Sequence, residues 1–314
     1  MLLYRKLACW ARPLAVLMVI MSPVGAETGP PRVLVSIAPL HSLVAQVMAG
    51  VAEPELVYET RQSPHSSAMT PRQLKAVVET DLLFWIGPEL ETALARLLPR
   101  LRDDAQAFDL HDFDGGMTLL PMRDTLFSES EIGDEHDHDH GDLDPHVWLS
   151  LDNARVFVDF VEARLVEHDP DNRSRYQRNA DQTRTRLAGL GEQIDRHLET
   201  SRETPYILFH DGFQYFEQDQ SLNGLGALVL NPDIPPGPRT IARLRDLAAP
   251  YDRVCLFREP QYSERWLLPL VNDLDKATLG TIDPLGQLSE PGAGLYADMM
   301  LRLASDLAAC LGDT

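Results

Sequence analysis

Residues 33–48 read VLVSIAPLHSLVAQVM. Val33-Leu34-Val35-Ser36-Ile37 is a short apolar run closed by Ala38-Pro39, which reads as a strand buried in a parallel sheet. Leu40, Leu43, Val44 and Val47 then recur at steps of three and four, on one face of a helix. His41, near the start of that helix, is expected to serve the helix terminus rather than a ligand site. The same strand-then-helix couple returns along the chain. Residues 55–58 and 81–87 are strand candidates, the second strongly apolar and closed by Gly87. Between them Thr70-Pro71 opens a helix, with Thr70 as N-cap and Pro71 at the first helical position. Further on, residues 206–209, 228–230, 253–257 and 278–282 read as strands. A helix capped by Thr240 runs to about residue 247, and a last one covers about 295–311. This alternation predicts an α/β fold with mostly parallel sheets.

The period changes between the two groups of strands. Residues 151–199 read as almost wholly helical: Phe157, Phe160, Val161 and Leu165 form one stripe, continued by Tyr176, Ala180, Thr183, Leu187, Leu190, Ile194 and Leu198. Asp169-Pro170 is expected to kink or restart the helix, because proline removes a donor and crowds the preceding turn. Straight, the element would measure ~60–70 Å at ~1.5 Å per residue, so it reads as a rigid strut between two lobes. The expected organisation is a leader at 1–26, a first α/β lobe at 27–150, a linking helix at 151–200 and a second α/β lobe at 201–314. The leader has a basic start (Arg5, Lys6, Arg12), an apolar run at 14–21 too short to span a bilayer, and the small-residue end Val24-Gly25-Ala26. It reads as a cleaved secretory signal, so the chain is expected to be exported.

The chain carries 28 basic and 48 acidic side chains, a formal net charge of −20, and loss of the three basic leader residues takes it to −23. Such a surface excludes nucleic acid as a partner and attracts cations. Cys9 leaves with the leader. The two cysteines that remain, Cys255 and Cys310, are expected to pair in an exported chain; they do not form a CxxC redox motif.

Residues 134–150 read DEHDHDHGDLDPHVWLS. His136, His138 and His140 alternate with Asp137 and Asp139 in a tract with no apolar face, so the tract is expected to be a solvated loop that collects a borderline divalent ion such as zinc. His146 differs, because apolar residues resume around it. His65 follows a strand by a short loop, and His210 and Asp283 each stand at the carboxyl end of a strand, where open α/β sheets bind their ligands. A site between the lobes would gather His65 and His146 from one side and His210 and Asp283 from the other. Three imidazoles and one carboxylate suit tetrahedral zinc.

The mature chain resembles the zinc-binding, ZnuA-type substrate-binding proteins of bacterial ABC transporters, the cluster A-I class. Ser63-Pro64-His65-Ser66, Asp144-Pro145-His146-Val147-Trp148-Leu149-Ser150, Phe209-His210-Asp211-Gly212-Phe213-Gln214-Tyr215-Phe216, Asn231-Pro232-Asp233-Ile234-Pro235-Pro236-Gly237, Arg258-Glu259-Pro260-Gln261-Tyr262 and Asp283-Pro284-Leu285-Gly286 carry the likeness, in that order. The resemblance implies two α/β lobes joined by a rigid helix, with Zn(II) held between them by His65, His146 and His210, and a disulfide between Cys255 and Cys310. It also implies delivery of the metal to an inner-membrane ABC permease, with a periplasmic metallochaperone as a further partner, by a monomer that is not an enzyme. Some zinc-type members carry a glutamate before the first histidine, where this chain has Pro64. The fourth ligand is therefore open between Asp283, the favoured residue, water and Glu259. Manganese is the alternative cargo, although three histidines favour zinc. A zinc hydrolase is the alternative activity, although HExxH and GxSxG are both missing.

Overall fold

The fold is that of a computed structural model, which describes residues 29–65, 69–113, 115–127, 143–274 and 277–312. The leader and the histidine tract at 134–141 lie outside the described residues. The first lobe runs β1 (Val33–Val35), α1 (Ala38–Met48), β2 (Glu55–Leu56), α2 (Pro71–Glu79), β3 (Leu82–Trp85), α3 (Thr92–Ala95) and β4 (Gln106–Asp109). Two helices follow, α4 (Leu151–His168) and α5 (Arg173–Leu198). The second lobe runs β5 (Tyr206–His210), α6 (Gln214–Gln220), β6 (Gly224–Val229), α7 (Pro238–Ala248), β7 (Val254–Arg258), α8 (Leu268–Asp273), β8 (Ala277–Thr281) and α9 (Leu295–Leu311). Both sheets are parallel throughout and share one strand order: β2-β1-β3-β4 and β6-β5-β7-β8. No helix among the described residues is long and apolar enough to cross a membrane.

Local chemistry sets most of these boundaries. Thr70 accepts the Gln73 backbone N–H while the Gln73 side chain accepts from the Thr70 backbone N–H, a reciprocal cap that starts α2 at Pro71. His41 bonds through Nε2 to the Pro54 carbonyl (2.9 Å), a structural role at the start of α1. The expected start of α7 at Thr240 is two residues late, because Pro238 takes the first helical position behind Gly237. Sequence reading also missed β4: its residues are exposed or half-buried, so an edge strand of this kind leaves no apolar run.

The larger difference concerns the strut. At Asp169 the helix stops, a 3-10 turn covers Pro170–Asn172, and α5 folds back along α4. Arg184 reaches Asp159 and Glu162 across the hairpin, and Tyr176 donates to Asp169 at its bend (2.7 Å). Pro170, without an N–H and with its ring against the preceding turn, ends the first helix outright instead of kinking it. The long element is thus α5, whose 26 residues span ~39 Å, packed between α1 and α9.

Alternation along the second sheet decides what each strand residue meets. Tyr206 and Leu208 of β5, like Cys255 and Phe257 of β7, belong to the core shared with the helices. Ile207, Phe209, Val254 and Leu256 face the opposite layer with Leu244 and Leu270. Cys255 therefore points at α9 and forms the disulfide with Cys310, their Cα atoms 6.1 Å apart.

Between β4 and α4 the chain visits the second lobe. Ala227 donates to the Thr125 carbonyl (2.8 Å), Leu126 bridges Gly226 antiparallel to edge strand β6, and Leu126 is buried among second-lobe residues. Arg123 forks onto Asp211 and also meets Glu217. Residues 123–127 thus pack on the second lobe, while Thr118 stays bonded to Asn153 at the start of α4.

Candidate metal centre

His65, His146 and His210 come from three separate places and meet between the lobes. His65 lies on the loop after β2, His146 precedes the turn that starts α4, and His210 is the last residue of β5. Their ligand nitrogens all lie within 4.8 Å of one another. A tetrahedral zinc with Zn–N of ~2.0–2.1 Å would draw such nitrogens to ~3.3–3.4 Å apart, so the donors are already gathered.

Carboxylates fix two of the rings. Asp144 Oδ1 accepts the His146 backbone N–H (2.9 Å) and lies 2.7 Å from His146 Nδ1. Glu259 Oε1 lies 3.2 Å from His210 Nδ1. That pairing follows from register: Leu208 and Phe257 are partners across β5 and β7, and two residues further on each strand bring His210 and Glu259 to the same face. With Nδ1 committed to a carboxylate, each ring turns Nε2 toward the centre. His210 Nε2 is buried without a hydrogen-bond partner, as a donor awaiting an ion must be. Gly212 comes close behind: a Cβ there would stand 3.1 Å from His146 Nε2.

The electrostatics suit a cation. Burial, then the neighbouring His210 and His146, hold His65 well below the ordinary histidine pKa. Burial, then His210 and His111, do the same to His146. Burial also opposes charge on His210, but Glu259 outweighs it, with Asp211 and Asp144 adding to the rise. Burial pushes Asp144 up to about 6. Two neutral imidazoles can bind a metal without first losing a proton. Around them stand Pro64, Trp148, Tyr262, Pro284 and Leu285. Trp148 donates to the Pro284 carbonyl (2.8 Å), and Ser63 Oγ and Tyr262 OH share a hydrogen bond (2.8 Å). Both bonds join segments of different lobes over the centre.

Asp283 does not join the three imidazoles. It is buried, and its carboxylate accepts the backbone N–H groups of Leu285 (3.1 Å) and Leu288 (2.7 Å) and the Gln261 amide (3.3 Å). The carboxylate thus organises the turn after β8, and Glu259, not Asp283, lines the cavity. Sequence reading gave Asp144 no role and ranked Glu259 behind Asp283 as the fourth ligand. The signal for Asp144 was its position two residues before His146. That for Glu259 was its alignment with His210 at the ends of neighbouring strands.

Comparison with known proteins identifies the family. The sequence model described as ZnuA, zinc-uptake complex component A, periplasmic, matches residues 33–310. The high-affinity zinc uptake system protein ZnuA of Brucella abortus (strain 2308) is 31% identical over 313 residues, covering 89% of this chain and 91% of the relative. The protein of the same name from Paracoccus denitrificans (strain Pd 1222) is 29% identical over 308 residues, covering 92% and 94%. A crystal structure of ZnuA shares the fold with a TM-score of 0.74 at 21% identity, over 90% of this chain and 99% of that one. With a match that runs from the first strand to the last helix, the chain belongs to the ZnuA family of periplasmic zinc-uptake complex components.

Proposed function

We propose that this chain is the periplasmic zinc-binding component of an ABC uptake system, which captures Zn(II) between its lobes and hands it to an inner-membrane permease. The observation that carries the reading is the convergence of His65, His146 and His210, with ligand atoms within 4.8 Å. Zinc is the cargo, and these three imidazoles are its protein ligands. An all-imidazole set favours zinc over manganese, which prefers more oxygen donors. Water and Glu259, which lines the cavity, are the favoured fourth-ligand candidates; Asp283 is engaged by the N–H groups of Leu285 and Leu288. A carrier also suits the cavity better than a hydrolase does. Asp144 and Glu259 are engaged with His146 and His210, and among the described residues lining the cavity no other carboxylate is present to act as a general base.

The test is metal analysis of the exported, purified chain, followed by competitive titration with zinc and manganese. One tightly held zinc that excess manganese fails to displace is the expected result. Absence of a tight zinc, or retention of manganese against zinc, overturns the reading. Variants His146→Ala and His210→Ala that both keep full affinity would place the site elsewhere.

A further inference from the structure

A second group of metal-ligating side chains lies at the carboxyl ends of β3 and β4, outside the centre described above. Asp109 ends β4 and His111 follows two residues later. Leu110 between them is buried in the core, so alternation sends Asp109 and His111 to the same side. Gly87, with φ of +147°, lets Glu89 fold back beside them. A Cβ on Gly87 would stand 2.9 Å from Asp109 Oδ1 and 3.0 Å from Glu89 Oε2, so both carboxylate oxygens crowd one point. The His111 backbone N–H donates to Asp109 Oδ1 (2.9 Å), and His111 Nδ1 lies 3.4 Å from Glu89 Oε2.

Two features of this group call for a ligand. The His111 side chain is only 7% exposed, yet both ring nitrogens lack a hydrogen-bond partner. Leaving such a group unsatisfied costs ~1–3 kcal/mol per polar atom, and native interiors rarely do so. Moreover, among the described residues no lysine or arginine forms an ion pair with Glu89 or Asp109, and His111 is the cation-forming group that Glu89 meets. Two crowded carboxylates and an imidazole without a hydrogen bond are the donor set of a borderline divalent ion.

We propose that Glu89, Asp109 and His111 form a second, weaker divalent-cation site in the first lobe, with zinc as the ion it takes in this chain. Among the described residues only the three cleft histidines have all their donors within 4.8 Å, so the second site closes when an ion arrives. Glu89 is the arm that moves: its side chain is 31% exposed, whereas the His111 ring is fixed by burial. That rearrangement makes the site weaker than the cleft. The site uses no residue of the histidine tract and does not depend on the identity of the cleft's cargo.

The experiment is a zinc titration of the full exported chain with labelled histidine side chains, followed by nuclear magnetic resonance. His111 is assigned from His111→Gln, or by mutating the other histidines in turn if that variant fails to fold. The first equivalent should shift the three cleft imidazoles, and later equivalents should shift His111 saturably. Glu89→Gln, at an exposed position, should abolish the His111 shift and leave the first equivalent unchanged; Asp109→Asn should do the same. A His111 signal that stays still while His136, His138 and His140 saturate overturns the proposal. So does a His111 shift that survives intact in Glu89→Gln. Failure of the first equivalent to move the cleft histidines would instead count against the proposed function.

Discussion

Glu259 offers the sharpest test of how the centre is built. Its Oε1 stands 3.2 Å from His210 Nδ1, and both side chains are buried. Removing the carboxylate leaves the ring without the partner that fixes its orientation and raises its basicity. Loss of such an outer partner typically costs 10–100-fold in metal affinity, or ~1.4–2.8 kcal/mol. Glu259→Gln keeps an acceptor oxygen but removes the charge, so ~10-fold is expected. Glu259→Leu removes both, so ~100-fold is expected. His210→Ala, which deletes one of three protein donors, should exceed either. The assay is competition against a chromophoric zinc chelator at fixed pH, with circular dichroism to confirm the fold. Affinities within twofold of the parent in both Glu259 variants would refute the positioning role. A Glu259→Gln loss as large as that of His210→Ala would show that Glu259 binds the metal itself.

Three further outcomes follow from the same geometry. The Cys255–Cys310 disulfide closes a sequence separation of 55 residues, worth ~4 kcal/mol in the chain-entropy model; the metal-free Cys255→Ala/Cys310→Ala chain should lose about that much in urea unfolding, and a loss below ~1 kcal/mol would refute it. Burial pushes Glu91 up to about 7 from an ordinary 4.5, so the folded chain holds a proton that the unfolded chain releases. Its contribution is full below pH ~4.5 and disappears as pH rises through ~7, on the order of 3 kcal/mol in all. Glu91→Gln should therefore gain stability relative to the parent between pH 5 and pH 8, and a difference independent of pH would sink the argument. Asp283→Ala should cost the metal-free fold ~3 kcal/mol by stranding the N–H groups of Leu285 and Leu288, while lowering zinc affinity less than Glu259→Leu does; a stable variant with abolished zinc binding would restore Asp283 as a ligand.

The sequence made the strands legible wherever both faces are buried. Residues 33–35, 82–85 and 206–209 are unbroken apolar runs because helices cover both sides of each sheet. The β4 edge had no such signature. His210 could be chosen because it ends a strand, where these sheets bind, and His146 because it adjoins a resumed apolar run; His65, in a polar loop, stood out through the family motif Ser63-Pro64-His65-Ser66. Asp283 shares the strand-end setting of His210, which is why it was selected. What separates it from Glu259 is register: β7 advances in step with β5, and that pairing is a tertiary fact with no local trace. Pro170 was read as a break, but the direction taken afterwards depends on the apolar stripes of α4 and α5 finding each other.

The excursion of residues 123–127 toward β6 has a mechanical consequence. The backbone crosses to the second lobe on the way out to Leu126 and crosses again through α5. A body tied at both places has little freedom to swing open about one axis, because the Arg123 fork and the Thr125–Ala227 bond would have to break first. Access to the cavity then falls to its covering segments, above all the loop of Ser63 and His65 and the turn of Tyr262. Exchange of the ion becomes a question of how fast two short segments part, and the radius of gyration in solution should be the same with and without zinc.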